Sequence, residues 1–163
     1  MLPLVLLACG DGDSAEVVPA IGSATADAGP SANLASANMD SIGRAVYTTC
    51  AICHQANGLG IPGSFSPMAG SEIVLGAPEI PVAIILHGIR GPITVKGQTY
   101  YGMMLALGGS FTDLQIAAVT TYIRSQWGNS APAVTPELVA RVRAATVSRS
   151  SMWSWSELEN ASF

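Results

Sequence analysis

Charged side chains are scarce in this chain of 163 residues, making up 11% of its positions, and the formal net charge is -4. A surface that binds nucleic acid needs clustered basic residues, whereas the whole chain has seven, and Lys96 is its sole lysine. We therefore expect no nucleic-acid partner. Because the charges are thinly spread, we expect docking to use apolar and neutral contacts instead of a strong electrostatic field.

Long apolar runs are also missing. The opening run, Leu2 to Ala8, is far shorter than the roughly 20 residues of a membrane-spanning helix. Together with Cys9 it resembles the lipobox of bacterial lipoproteins, in which the signal is cut before the cysteine and the cysteine is acylated. No basic residue precedes the run, which leaves the true start codon open, and an ordinary signal peptide containing Cys9 is the alternative. Both interpretations predict export, and the first predicts a periplasmic protein with a lipid anchor at Cys9.

Cysteine is rare as well, with three in the chain. In an exported protein a single disulfide would leave the third one unpaired. Cys50 and Cys53 lie in the stretch CAICH, which ends at His54. This C-x-x-C-H spacing is the attachment signature of c-type haem, in which each thiol adds to one vinyl group and the histidine lies under the iron. The alternatives are a zinc site, which would need His87 or Cys9 as a fourth ligand, and a redox dithiol, which would need a βαβ pattern.

Composition divides the chain into four segments. The signal and lipobox occupy 1–9. Residues 10–37 are rich in Gly, Ala, Ser, Asp and Pro without an apolar period, which predicts a flexible tether with a reach on the order of 30 Å. A compact domain is expected over 38–129, followed by a helical extension over 130–163.

The compact domain is predicted to be mostly helical, because no alternating run is long enough to require a sheet. The clearest helix start is Thr112, where Gln115 completes a capping box. In the C-terminal segment, Trp153 and Trp155 are expected to cover part of the domain, with a partner-docking surface as the alternative. The predicted helices span 40–49, 77–89, 113–127 and 136–147.

The second axial ligand decides whether a haem protein carries electrons or binds small molecules. A thioether favours reduced iron and raises the potential, whereas an open position permits gas binding or peroxide chemistry. The side chains that could serve are Met68, Met103, Met104 and His87. Residue types alone leave this choice open.

The segment from Gly43 to Asn129 resembles class I cytochromes c. It is most similar to the single-haem domains of bacterial periplasmic dehydrogenase and nitrite reductase electron-transfer chains. Four stretches carry the resemblance, and in chain order they are residues 43–54, which end in YTTCAICH, then GIPGSFSPMAGSE, LHGIRGPITVKGQTYYGMM and FTDLQIAAVTTYIRSQWGN. The resemblance implies an all-α class I cytochrome c fold, with helices packed around one covalently attached haem c. It covers about half of the chain and extends neither to the tether nor to the C-terminal extension.

The resemblance also implies roles for particular residues. Cys50 and Cys53 would attach the haem, and His54 would be the proximal iron ligand. The family's distal methionine lies in a Tyr-x-Gly-x-Met-Pro pattern, which 100–105 matches except at its last position. Met104 is therefore the expected distal ligand, and Met103 is the second choice.

Three further expectations follow from the resemblance. Leu105 stands where the family usually has proline, so the ligand loop loses a constraint on φ. A carbonyl in the loop through Ile61-Pro62 should accept the N–H of the proximal histidine. The first and last helices of the domain should cross through Gly43, Tyr47 and Tyr122.

The expected function is electron transfer and not enzymatic catalysis. The chain would pass one electron at a time from a donor redox protein to an acceptor at the periplasmic membrane surface. A first alternative is a fixed haem subunit of a periplasmic dehydrogenase or reductase, with the C-terminal Trp segment as its docking face. A second alternative is a ligand-binding haem sensor, in which the distal loop opens the sixth position.

Overall fold

The computed structural model describes residues 30–163, with Cys9 and the tether residues 10–29 outside this range. Its helices are α1 (Pro30–His54), α2 (Glu72–Leu75), α3 (Glu79–His87), α4 (Asp113–Ser125), α5 (Pro136–Ala145) and α6 (Trp155–Leu158). Its strands are β1 (Ile89–Arg90), β2 (Ile93–Val95), β3 (Gln98–Tyr100) and β4 (Met103–Met104). Helices dominate, as the predicted all-α fold requires. None of the helices in this range is long and apolar enough to cross a bilayer.

Helix α1 leads the chain into CAICH and is longer than the predicted helix over 40–49. It begins at Pro30 and ends at His54. Proline is favoured in the first turn of a helix, and the alanines that follow it have the highest helix propensity. Residues 30–37, which the sequence predicts as part of the flexible tether, are therefore helical. The extra length was missed because this stretch has no apolar periodicity.

Helices α1 and α4 cross in close contact. Gly43 is buried at the crossing, where a Cβ would overlap the carbonyl oxygen of Ala118 and the Cβ of Tyr122. Next to it, the rings of Tyr47, Tyr122 and Trp127 pack with centroids 5.0 to 6.1 Å apart. The helix crossing expected from the family resemblance is therefore present. It fixes the end of α1, which carries CAICH, against the rest of the domain.

Different contacts are found at the start of α4 and after its end. At its start, the Thr112 hydroxyl accepts from the Gln115 N–H, and the Gln115 side chain accepts from the Thr112 N–H at 2.9 Å, so the predicted capping box is present. At its end, the helix stops at Ser125, two residues before the predicted end. The indole of Trp127 then packs against Gly58 and donates its Nε1–H to the Ala56 carbonyl at 3.2 Å. This contact holds the loop that follows CAICH.

Four short strands join α3 to α4. Helix α3 is shorter than predicted and ends at His87, because Gly88 adopts a φ of 75°. β1 pairs antiparallel with β4, with Ile89 opposite Met104, and β2 pairs antiparallel with β3. Strands of two or three residues have no detectable alternation, so the sequence does not predict them. They determine where the Met103–Met104 segment lies.

The C-terminal extension shares the core of the compact domain. Helix α5 follows the N-cap Thr135 and contributes Val139 and Val142 to the buried cluster, to which α6 adds Leu158. Trp153 is 7% exposed, and Trp155 packs on the same cluster as a partly buried residue. The prediction that the two indoles cover the domain is confirmed.

Candidate functional site

An apolar cavity of about 370 Å³ lies between the end of α1, the loop that follows it, α3 and β4. Ligand and cofactor sites in proteins typically have volumes of about 300–1,000 Å³. Its wall is mostly aliphatic, so the cavity suits a largely apolar group. The aliphatic side chains that line it include Ile73, Val74, Ile84, Ile85, Ile93, Val95 and Ile123.

Cys50 and Cys53 both line this cavity from the last turn of α1. Residues three apart on a helix lie on the same face, so both thiols are on the cavity side. Neither forms a disulfide. Burial raises the pKa of the Cys50 thiol to about 11, with a further contribution from nearby Cys53. A redox dithiol needs a reactive thiolate of low pKa, so the structure does not favour that alternative.

His54 ends α1 and is buried at the same cavity. Its Nδ1 lies 2.9 Å from the carbonyl oxygen of Ser66. Because a carbonyl can only accept, Nδ1 carries the proton and Nε2 has the free lone pair that binds a metal. Burial also lowers the pKa of His54, which keeps the imidazole neutral and able to bind a metal.

The hydrogen-bond acceptor for His54 lies in the loop that runs through Ile61-Pro62, as expected, and the residue that supplies it is Ser66. Residues 61–65 close a tight turn, in which the Phe65 N–H donates to the Ile61 carbonyl at 2.8 Å, and residues 61–64 are exposed. The carbonyl that bonds to the His54 ring comes only after this turn, at Ser66. Pro67, which follows, disfavours a helical conformation at Ser66. The expected carbonyl acceptor is therefore confirmed, and which residue provides it depends on how the turn closes.

Two of the candidate distal ligands are neighbours in β4. Met103 is 58% exposed, whereas Met104 is partly buried and packs against the core cluster. Successive residues of a strand point to opposite faces. Both side chains border the cavity, but Met104 is the more buried of the two and is therefore the one that faces the core.

The other candidates are placed differently. Met68 lines the cavity and packs on the core. His87 is not part of the cavity wall, and its Nε2 lies 2.7 Å from the Thr146 hydroxyl at the end of α5. His87 therefore has a structural partner and is not positioned as a zinc ligand beside the two cysteines.

Asn129 supports the site and was not identified from the sequence, where it only follows the stop of α4. It is buried, and its side-chain amide donates to the carbonyls of Met68 at 3.1 Å and Ile123 at 2.6 Å. Its Oδ1 accepts from the Gly70 N–H at 2.7 Å. These bonds hold the cavity wall at 68–70 against α4. No local sequence signal distinguishes such an asparagine from a helix stop.

These features are those of a class I c-type cytochrome, in which haem is attached at a C-x-x-C-H motif. Residues 41–127 match the family model for cytochrome c, and the chain belongs to this family. That match confirms the predicted class I fold and electron-transfer function. Members of the family bind haem c covalently, and Cys50, Cys53 and His54 form the attachment motif.

Similar proteins fall into two groups. The chain is 42% identical over 92 residues to cytochrome c-552 of Thermus thermophilus, which covers 54% of this chain and 70% of that protein. It is 37% identical over 131 residues to the cytochrome c subunit of the quinone alcohol dehydrogenase of Gluconacetobacter polyoxogenes, covering 78% of this chain and 28% of the subunit. The fructose dehydrogenase cytochrome subunit of Gluconobacter japonicus is 31% identical over 110 residues, covering 63% and 22%. The chain thus spans less than a third of these dehydrogenase subunits.

Proposed function

We propose that this protein is an exported, lipid-anchored electron carrier that performs no substrate chemistry of its own. It would accept electrons from one redox protein and deliver them to another at the periplasmic membrane surface, anchored through Cys9. Its haem would be attached to Cys50 and Cys53, and His54 and Met104 would bind the iron. The observation that carries this proposal is that these four side chains all border one apolar cavity.

Each part of the chain has a distinct task in this proposal. The bound haem supplies a one-electron couple. The Ser66 carbonyl fixes the tautomer and ring orientation of His54, and the aliphatic wall excludes water from the site. A thioether from Met104 favours reduced iron and raises the potential. The protein thus sets the potential and the access to the site, while the redox chemistry belongs to the cofactor.

The ligand assignment can be tested by optical spectroscopy of the oxidised protein. We expect a thioether charge-transfer band in the wild type, because a methionine sulfur ligates the iron. Met104→Ala should abolish the band, whereas Met103→Ala, its matched control in the same strand, should retain it. A band that persists in Met104→Ala would show that another residue is the ligand.

The anchor is tested separately, since Cys9 lies outside the described residues. If Cys9 is acylated, Cys9→Ala should move the cytochrome from the membrane fraction to the soluble periplasmic fraction and abolish labelling by a radioactive fatty acid. An unchanged distribution would favour the ordinary signal peptide.

A fixed haem subunit of a dehydrogenase is the second candidate. The alignment with the alcohol dehydrogenase subunit covers 78% of the chain, so it includes residues outside the 41–127 family match. Deleting the extension would remove part of the core, so a surface substitution is the better test. Val147, 81% exposed just after α5, is suitable. Loss of co-purification with a catalytic subunit in Val147→Lys would favour this candidate.

A further inference from the structure

The extension forms backbone hydrogen bonds with the strand that pairs with β4. The Trp153 N–H donates to the Gly88 carbonyl at 3.0 Å, and the Arg90 N–H donates to the Trp153 carbonyl at 2.9 Å. Trp153 is thereby bridged in parallel to Ile89, which on its other side pairs with Met104. Three segments lie side by side, with β1 between the extension and the strand of the proposed distal ligand.

The backbone of Gly88 lies close to the backbone of residues 104–106 where these segments meet. A Cβ at Gly88 would overlap the Met104 carbonyl oxygen and the backbone nitrogen of Ala106. Gly88 therefore contacts the distal-ligand segment directly and also accepts the hydrogen bond from Trp153. A shift of the Trp153 backbone would therefore move Gly88, which contacts the backbone at Met104.

Trp153 is itself firmly held. Its ring is buried and packs edge-on against Phe163, with centroids 6.0 Å apart. The Arg149 guanidinium lies 3.4 Å from its ring centroid, a cation–π contact. Arg149 also donates to the carbonyls of Ser151 at 2.9 Å and Met152 at 3.1 Å, and it pairs with Glu157 at 2.9 Å. These contacts order the turn that presents the Trp153 backbone to β1.

We propose that residues 149–163, the C-terminal strap, position the distal ligand. The strap holds β1, β1 holds β4, and Met104 is kept against the cavity although Leu105 replaces the proline that would stiffen the loop. Trp153 is a positioning residue in this scheme, acting through Ile89. The inference rests on the proposed function in taking Met104 as the ligand.

The principal test is Trp153→Pro, which removes the N–H that bonds to Gly88. In a denaturant titration, the thioether band of this variant should disappear well before the helical circular dichroism signal. In the wild type the two signals should be lost together. The reduced variant should also bind carbon monoxide on the order of tenfold more tightly, since apparent affinity scales with the fraction of molecules whose sixth position is open.

Three milder variants complete the test. Arg149→Gln loosens the strap but leaves the Trp153 N–H in place, and it should shift carbon monoxide binding in the same direction by a smaller factor. Arg141→Gln is its control, since it makes the same charge change at an exposed arginine of α5 that pairs with Glu79. Val139→Ala removes core packing from α5 and should lower the unfolding midpoint without separating the two signals.

The outcomes separate this inference from the proposal on which it rests. If the wild type has no thioether band, or if Met104→Ala keeps it, both the ligand assignment and the strap inference fail. If Met104→Ala abolishes the band while Trp153→Pro and Arg149→Gln bind carbon monoxide as the wild type does, the strap inference alone is overturned. If Trp153→Pro does not accumulate, the carbon monoxide affinities of Arg149→Gln and Arg141→Gln are compared instead. Equal affinities would overturn the strap inference.

Discussion

At the residue scale, α1 and α4 can approach closely because Gly43 has no side chain. Gly43→Ala should lower the free energy of unfolding by about 1–3 kcal/mol, because a backbone carbonyl of Ala118 lies where the methyl group would be. The better helix propensity of alanine, about 1 kcal/mol, offsets part of this loss. Denaturant unfolding measures the difference.

The control for this prediction is Gly109→Ala. Among the described residues other than Gly109 and its two chain neighbours, none has an atom within 4 Å of the position that the added methyl group would take, and the Gly109 backbone is not left-handed. The stability of this variant should therefore stay within about 0.5 kcal/mol of the wild type. If Gly43→Ala is equally neutral, the close helix crossing is not a constraint on the fold.

The residues of the site differ in how far the sequence predicts them. Cys50, Cys53 and His54 form a contiguous motif whose spacing encodes its own chemistry. Met104 required a resemblance to a family pattern, and its preference over Met103 gained support only from the difference in burial within β4. The Ser66 acceptor was not predictable, because it depends on a turn that closes through backbone hydrogen bonds of residues 61–65.

At the scale of elements, His87 at the contact between α3 and α5 should make the fold less stable in mild acid, because its protonated form is disfavoured there. The Thr146 hydroxyl donates to the Val142 carbonyl at 2.7 Å, so the Nε2–H of His87 donates to that hydroxyl. Burial lowers the pKa of His87, and the nearby charges of Arg149 and Arg143 lower it further. The unfolded chain, with the ordinary pKa of about 6.5, binds the proton more readily than the folded one.

Stability should therefore be fully present above about pH 6.5 and decline as the pH falls below that value toward the lowered pKa of folded His87. Chemical unfolding of the haem-loaded protein at several pH values measures this slope. His87→Gln retains a donor for Thr146 but does not titrate, so its slope in the same window should be smaller. Equal slopes in both proteins would show that another group is responsible.

The elements themselves show which signals are local. The capping box at Thr112 and the proline-led start of α5 depend on a few neighbouring residues, and both lie where the sequence predicts them. β1 and β4 are about 15 residues apart in the sequence, and each contributes two residues to the pairing. Two residues are too few to show an alternating pattern in the sequence. The bridge to Trp153 is still more distant in sequence. Non-local contacts of this kind can be identified only from the folded chain.

At the scale of the whole molecule, the haem domain has no net formal charge to direct a partner, apart from the carboxylates of the haem. Residues 38–128 contain four acidic and four basic side chains, which are Asp40, Glu72, Glu79 and Asp113 against Arg44, Arg90, Lys96 and Arg124. Exposed pairs such as Arg44 with Asp40 contribute little to stability and cancel each other at a distance. Large apolar side chains instead stand exposed at the cavity border, namely Ile52, Met103 and Leu105.

We therefore expect electron transfer to a redox partner to change little with ionic strength, because docking relies on apolar contact and long-range charge is absent. Stopped-flow kinetics over a salt series measures this. Ile52→Lys, at a position 77% exposed beside the cavity, should slow the reaction several-fold, whereas Val147→Lys, on the extension, should not. A steep fall in rate with salt in the wild type would contradict apolar docking. Slowing by Val147→Lys alone would instead locate the docking surface on the extension, as the fixed-subunit alternative requires.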